Sequence, residues 1–148
     1  DTDEYLAYVH DLPYDRLLSR NDALSKMLGE LKMHKSVFTN SDRAHALRVL
    51  GALGVKEHFE VIIDVHATHF VNKPRGFAFD VLFRTLDAEP RECVLVDDQL
   101  RNLEVARSLG MATVLVRPDC SPDGIADYRV SDVVRAGNVL RELGVRNI

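Results

Sequence analysis

The sequence predicts an α/β fold built on a doubly wound parallel sheet. Three observations predict it. Short apolar runs alternate along the chain with amphipathic stretches of ~10–14 residues, the signature of βαβ units. The runs, such as Cys93–Val96 and Ala112–Val116, are continuous rather than alternating, as in strands covered by helices on both faces. Polar chemistry then falls at the ends of the runs, at Thr39-Asn40, Asp64, Asp97-Asp98 and Arg117. Those carboxyl ends are where open α/β sheets bind ligands.

Each element has a local reason. Residues 3–10 read as a short helix, followed by a connection broken at Pro13. Asn21 or Asp22 can cap a helix running to about Leu31, with Leu24, Met27, Leu28 and Leu31 on one face. "SVF" is a short strand. Ser41 or Asp42 caps the next helix, which stops near Gly54. "EVIID" is a strand, and Pro74 stands at the first turn of a helix through "KPRGFAFDVLFRTL". "CVLVD" is a strand, "QLRNLEVARSLG" a helix ending at Gly110, "ATVLV" a strand, and "SDVVRAGNVLREL" a closing helix.

Composition bounds the rest. The 148 residues are one domain's worth of chain, 46% hydrophobic and 28% charged, as in ordinary globular proteins. A net charge of −4 gives no electrostatic footprint for a nucleic acid polymer. No apolar stretch nears the ~20 residues of a membrane span. The two cysteines, Cys93 and Cys120, make no disulfide framework, so a reducing, cytoplasmic setting is expected. The opening "DTDEYLAYVH" has neither a Met nor a lead-in strand and reads as the middle of a longer chain.

Three pieces carry chemistry. "FTNSD" places the Thr39 hydroxyl and the Asn40 amide at a strand end, with Ser41 leading into a helix N-terminus whose N–H groups suit an anion. "NKP" places the Lys73 ammonium just before a helix. "VDDQLRN" crowds Asp97 against Asp98 at another strand end, with Asn102 a helical turn beyond. Adjacent carboxylates favour a cation between them, and hard oxygen ligands of this kind suit Mg²⁺ with a substrate phosphate. Together the three pieces are expected to form a phosphate–Mg²⁺ pocket.

The order Thr-Asn, then Lys-Pro, then Asp-Asp-x-x-x-Asn resembles motifs two, three and four of the haloacid dehalogenase superfamily. "DTDEYLAYVHDLPYDRL", "VFTNSDRAHALRVLGALGV" and "FEVIID" look like its pyrimidine 5′-nucleotidase-like branch. The resemblance runs through nearly the whole chain. It implies a Rossmann-like core over residues 21–148 and, over residues 1–20, the end of a helical cap with its connection. It also implies a Mg²⁺-dependent phosphohydrolase acting on a small phosphorylated metabolite, a nucleoside 5′-monophosphate among the candidates. Thr39 would hold the phosphoryl group, with Asn40 and Ser41 beside it. Lys73 would neutralise developing charge, Asp98 with Asp97 would hold Mg²⁺, and Asn102 would support them. The family's nucleophile belongs to an Asp-x-Asp-x-Thr motif on a first, central strand that these residues do not contain. The letters "DTD" at Asp1–Asp3 lack the preceding apolar strand. The nucleophile is therefore expected outside the chain, with the missing segment supplied in trans or the exposed edges met by self-association. The family usually has Ser where Gln99 stands.

Blander readings stand beside these. Asp97 and Asp98 suit a helix cap and first turn, Thr39-Asn40 suits a turn, and Lys73 alone is a surface lysine. His66 and His69 have ligand-like spacing but no third ligand in register. His45 is a solvent-facing helix residue or a contact at the substrate's edge. Tyr5, Tyr8 and His10 suit packing of a short helix, and Cys93 has nothing basic beside it to activate it. A truncated protein or pseudophosphatase that binds without turnover is the alternative function. A phospho-acceptor receiver domain also uses an acidic pair, a Ser/Thr and a Lys-Pro, but in the opposite order.

Overall fold

Two of the helix starts follow the capping chemistry of Asn21 and Asp42. The structure, a computed structural model, describes residue 4, residues 13–119 and residues 124–146. The expected helix at 3–10, with Tyr5, Tyr8 and His10, and also Cys120, lie outside the described residues except for Glu4. The chain divides into two compact units, residues 1–30 with 34–70 and residues 31–33 with 71–148.

In the first unit, α1 (Tyr14–Leu17) precedes α2 (Asp22–Glu30). Asn21 Oδ1 accepts from the Leu24 N–H at 2.9 Å and starts α2. The apolar face of α2 buries Leu24, Met27 and Leu28. β1 (Ser36–Phe38) leads to α3 (Arg43–Leu53), and β2 (Val61–Ile63) follows. The α3 cap is Asp42, whose carboxylate accepts from the His45 N–H at 2.7 Å. Gly54 ends the helix at φ 71°, a conformation that costs a residue with a Cβ. A Cβ there would also meet the Arg20 side chain at 3.1 Å. β1 and β2 are parallel, with Ser36 opposite Val61 and Phe38 opposite Ile63.

In the second unit, α4 (Gly76–Leu86) is followed by β3 (Val94–Asp97), α5 (Leu100–Ser108), β4 (Ala112–Val116), β5 (Tyr128–Val130) and α6 (Ala136–Arg146). The three strands form a parallel sheet in the order β3-β4-β5. Val94 faces Ala112 and Val114 faces Tyr128. Phe79 on α4, Leu103 on α5 and Val114 on β4 are each fully buried in this unit's core.

Two local expectations differ from what formed, and one strand formed where none was expected. Pro74 precedes α4 rather than standing in its first turn: the Lys73–Pro74 peptide is cis, and Arg75 is the N-cap. The closing helix starts at Ala136 after a 3-10 turn over Val133–Arg135 capped by Asp132. β5, the three residues "YRV", went unread because Arg129 interrupts any apolar run.

β5 is held to β4 by side chains as well as by its ladder. The buried Thr113 donates its N–H and its hydroxyl to Asp127 Oδ2 at 2.9 and 2.8 Å, and the Asp127 N–H returns a bond to Thr113 Oγ1 at 3.0 Å. Thr113→Val should lower unfolding free energy by about 1–2 kcal/mol in urea melts. The methyl replaces volume but leaves the Asp127 N–H without its acceptor.

Cys93 lies one residue before β3 and is half-buried. Burial, helped by the charge of Glu92, pushes its thiol pKa up. Only the thiolate alkylates. Peptide mapping after iodoacetamide at pH 7.5 should show Cys93 modified faster in urea than in the native protein, because unfolding removes the burial that raises its thiol pKa.

Candidate functional site

In the first unit, the ends of β1 and β2 are stitched together. The Thr39 N–H donates to the Ile63 carbonyl at 3.0 Å and the Val65 N–H to the Ser41 carbonyl at 3.1 Å. Thr39 Oγ1 accepts from the Ser41 N–H at 3.0 Å. Asp64 is buried, and its two oxygens accept from the Arg43 and Ala67 N–H groups at 2.9 and 3.0 Å. Thr39, Asn40 and Ser41 are half-buried at this strand end. The N-terminus of α3 is already capped by carboxylates: Asp64 takes Arg43 and Asp42 takes His45. The N–H groups of Ser41, Arg43 and His45 each already have an acceptor. Asp64 thus braces the turn.

His45 is neither plainly solvent-facing nor loose. Its Nδ1 lies 2.7 Å from the Tyr14 hydroxyl, with the rings edge-on at 5.3 Å. His66 is exposed and packs edge-on to Phe70, while His69 and Phe70 take φ of 51° and 61°.

In the second unit, the end of β3 holds a tighter arrangement. The Lys73 ammonium donates to Asp97 Oδ2 at 2.8 Å, and the two side chains are only 8% and 7% exposed. Asn102 Nδ2 donates to both Asp97 oxygens, at 3.1 and 3.0 Å. The Gln99 N–H donates to Asp97 Oδ1 at 2.8 Å. A carboxylate offers about four acceptor positions, and these contacts take all of them. Burial opposes ionisation of Asp97, but the hydrogen bond and charge of Lys73, with the Gln99 N–H and the Asn102 amide, outweigh it. They hold the carboxyl below its usual range. The cation that Asp97 faces is therefore the ammonium of Lys73, and a metal there would have to displace a donor.

Asp98 differs. It is exposed; its Oδ2 accepts from Gln99 Nε2 at 3.1 Å, and its backbone oxygen accepts from Arg117 Nε at 3.1 Å. Asn102 Oδ1 is a buried acceptor with no partner. Among the described residues no three His, Cys, Asp or Glu side chains group into a metal cage. The donor set fits a cation that takes one carboxylate and completes its shell with water and phosphate oxygens, which is the habit of Mg²⁺.

A family profile described as haloacid dehalogenase-like hydrolase matches residues 3–110. The chain belongs to the haloacid dehalogenase-like hydrolase family. A bifunctional epoxide hydrolase 2 of Rattus norvegicus is 36% identical over 67 residues, 45% of this chain and 12% of that protein. A fructose-1-phosphate phosphatase of Escherichia coli is 30% identical over 83 residues, 55% of this chain and 43% of that protein. The chain thus spans less than half the length of these curated relatives. A putative family hydrolase of Bacillus subtilis, solved bound to magnesium, superposes with TM-score 0.68 at 19% identity. That match covers 80% of this chain and 53% of that one, and it shows the fold alone.

Arg117 and Gln99 are the residues that the sequence placed but did not assign. Arg117 was legible as a strand-end residue, and Gln99 as a departure from the family's Ser. Nothing in the sequence says that both point at Asp98.

Proposed function

We propose that the protein is a Mg²⁺-dependent phosphohydrolase acting on a small phosphate ester, with nucleoside 5′-monophosphates as the first candidates. The observation that carries this reading is the division of labour at the end of β3. Asp97 is buried and saturated by Lys73, Asn102 and the Gln99 N–H, while Asp98 is exposed one residue on. The phosphatase among the relatives supports the choice of phosphate chemistry. The magnesium-bound neighbour supports the metal.

In this reading Asp98 holds the cation, which when bound supplies charge to the phosphate oxygens. Asp97 binds no metal. It holds the Lys73 ammonium in place with a 2.8 Å hydrogen bond, so that the charge is positioned before a phosphoryl group arrives, and preorganised charge in a buried setting is the larger share of such catalysis. Thr39 is assigned to hold phosphate through its hydroxyl, with Asn40 and Ser41 beside it. The covalent step, attack by an aspartate to give an aspartyl-phosphate, is assigned to a carboxylate outside these residues, on the same polypeptide or supplied in trans.

The test is release of phosphate by the full-length protein from p-nitrophenyl phosphate and a panel of nucleoside 5′-monophosphates, with Mg²⁺ and with EDTA. Mg²⁺-dependent turnover that EDTA abolishes supports the proposal. Halide release from a 2-haloacid, unaffected by EDTA and without phosphate release from any ester, sinks it. Mg²⁺ and phosphate binding without turnover would point to a pseudophosphatase.

A further inference from the structure

We infer that Gln99 and Arg117 are positioning residues that aim Asp98 as a one-oxygen ligand for a divalent cation. The inference rests on the phosphohydrolase reading above and adds to it the parts that hold the ligand still. An exposed carboxylate at a strand exit ordinarily wanders among rotamers. Here the peptide that joins Asp98 to Gln99 is held at both ends. Its carbonyl accepts from Arg117 Nε at 3.1 Å, and its N–H donates to Asp97 Oδ1 at 2.8 Å. Asp97 is itself immobilised by Lys73 and Asn102. The backbone of Arg117 is fixed in turn, because its N–H donates to the Val130 carbonyl at 2.9 Å. The plane from which the Asp98 side chain springs is therefore set from two strands.

The side chain is set as well. Gln99 Nε2 donates to Asp98 Oδ2 at 3.1 Å. That bond takes one acceptor position of Oδ2 and favours Oδ1 as the oxygen that reaches a cation, and one-oxygen carboxylate coordination suits the octahedral demands of Mg²⁺. A serine, the usual family residue here, has a shorter side chain than Gln99. Partners that orient a ligand typically account for 10–100-fold in metal affinity.

The experiment is calorimetric titration of the metal-free full-length protein with Mg²⁺ alone. Gln99→Leu removes the amide at similar size without changing charge. At Arg117 two neutral variants are compared, so that loss of the guanidinium charge cancels. Gln carries its Nε2 on the same side-chain carbon that carries arginine's Nε and can keep the bond, whereas Leu cannot. The expected result is about tenfold weaker Mg²⁺ binding in Gln99→Leu, and about tenfold weaker binding in Arg117→Leu than in Arg117→Gln. Gln99 is exposed and Arg117 half-buried, so circular dichroism of each variant is the control for an intact fold. Wild-type protein that binds Mg²⁺, with all three variants matching it, overturns the inference and leaves the phosphohydrolase reading in place. Wild-type protein that binds no Mg²⁺ overturns both.

Discussion

Lys73→Met should destabilise the second unit by about 3 kcal/mol, the lower end of what removing one partner from a buried ion pair costs. Both side chains are nearly inaccessible, so the Asp97 carboxylate left behind cannot recover its lost partner from water. The lower end applies because the Asn102 amide and the Gln99 N–H still donate to it. Urea unfolding at pH 7.5 would show the loss as a fall in midpoint. Lys73→Met combined with Asp97→Asn should cost less than the sum of the two single variants, because the stranded charge is then gone. A coupling of ~0.5–3 kcal/mol is the usual range for residues in contact. Strict additivity would mean that the pair is a geometric neighbour and nothing more.

The pH dependence of that gap has a definite sign. The folded-state pKa of Asp97 is held below its unfolded value. The stabilisation it contributes is fully present above the unfolded value, about 3.9. It is lost as pH falls through the folded value, because protons then bind the unfolded carboxyl first and the folded one later. The difference between wild type and Lys73→Met should therefore be largest near neutral pH and shrink below about pH 4. A gap that widens on acidification would contradict the ion-pair account.

Most of the fold was legible because its signals are local. Asn21, Asp42 and Gly54 mark helix ends through side chains and φ values that act within one turn. The continuous runs at β3 and β4 announce strands without help from distant residues. What stayed hidden depends on partners far along the chain. β5 exists because Val114 and Val116 offer it a ladder and Thr113 binds Asp127 from 14 residues away. His69 and Phe70 take positive φ with no glycine to advertise it. At the site, the sequence placed Asp97 and Asp98 side by side but could not separate their roles. That separation comes from burial, since Lys73 bonds the carboxylate that turns inward, across 24 residues of chain.

This separation leads to the sharpest functional contrast. Asp98→Asn should reduce kcat/KM for the best phosphate ester by about 10³-fold, the scale on which one preorganised electrostatic group is felt, while leaving unfolding free energy within about 0.5 kcal/mol of wild type, as is usual for an exposed side chain. The amide keeps the shape and an oxygen but loses the charge that a hard cation needs. Excess Mg²⁺ should recover part of the activity if the loss lies in metal affinity. Asp97→Asn should behave in the opposite way, costing stability as well as turnover, because it removes the charge opposite a buried ammonium and puts an amide where Asn102 already donates. Measured side by side, steady-state kinetics at several Mg²⁺ concentrations and urea melts of the two variants assign one aspartate to the metal and the other to Lys73. Equal losses of stability, or equal responses to Mg²⁺, would mean that the two carboxylates share one role.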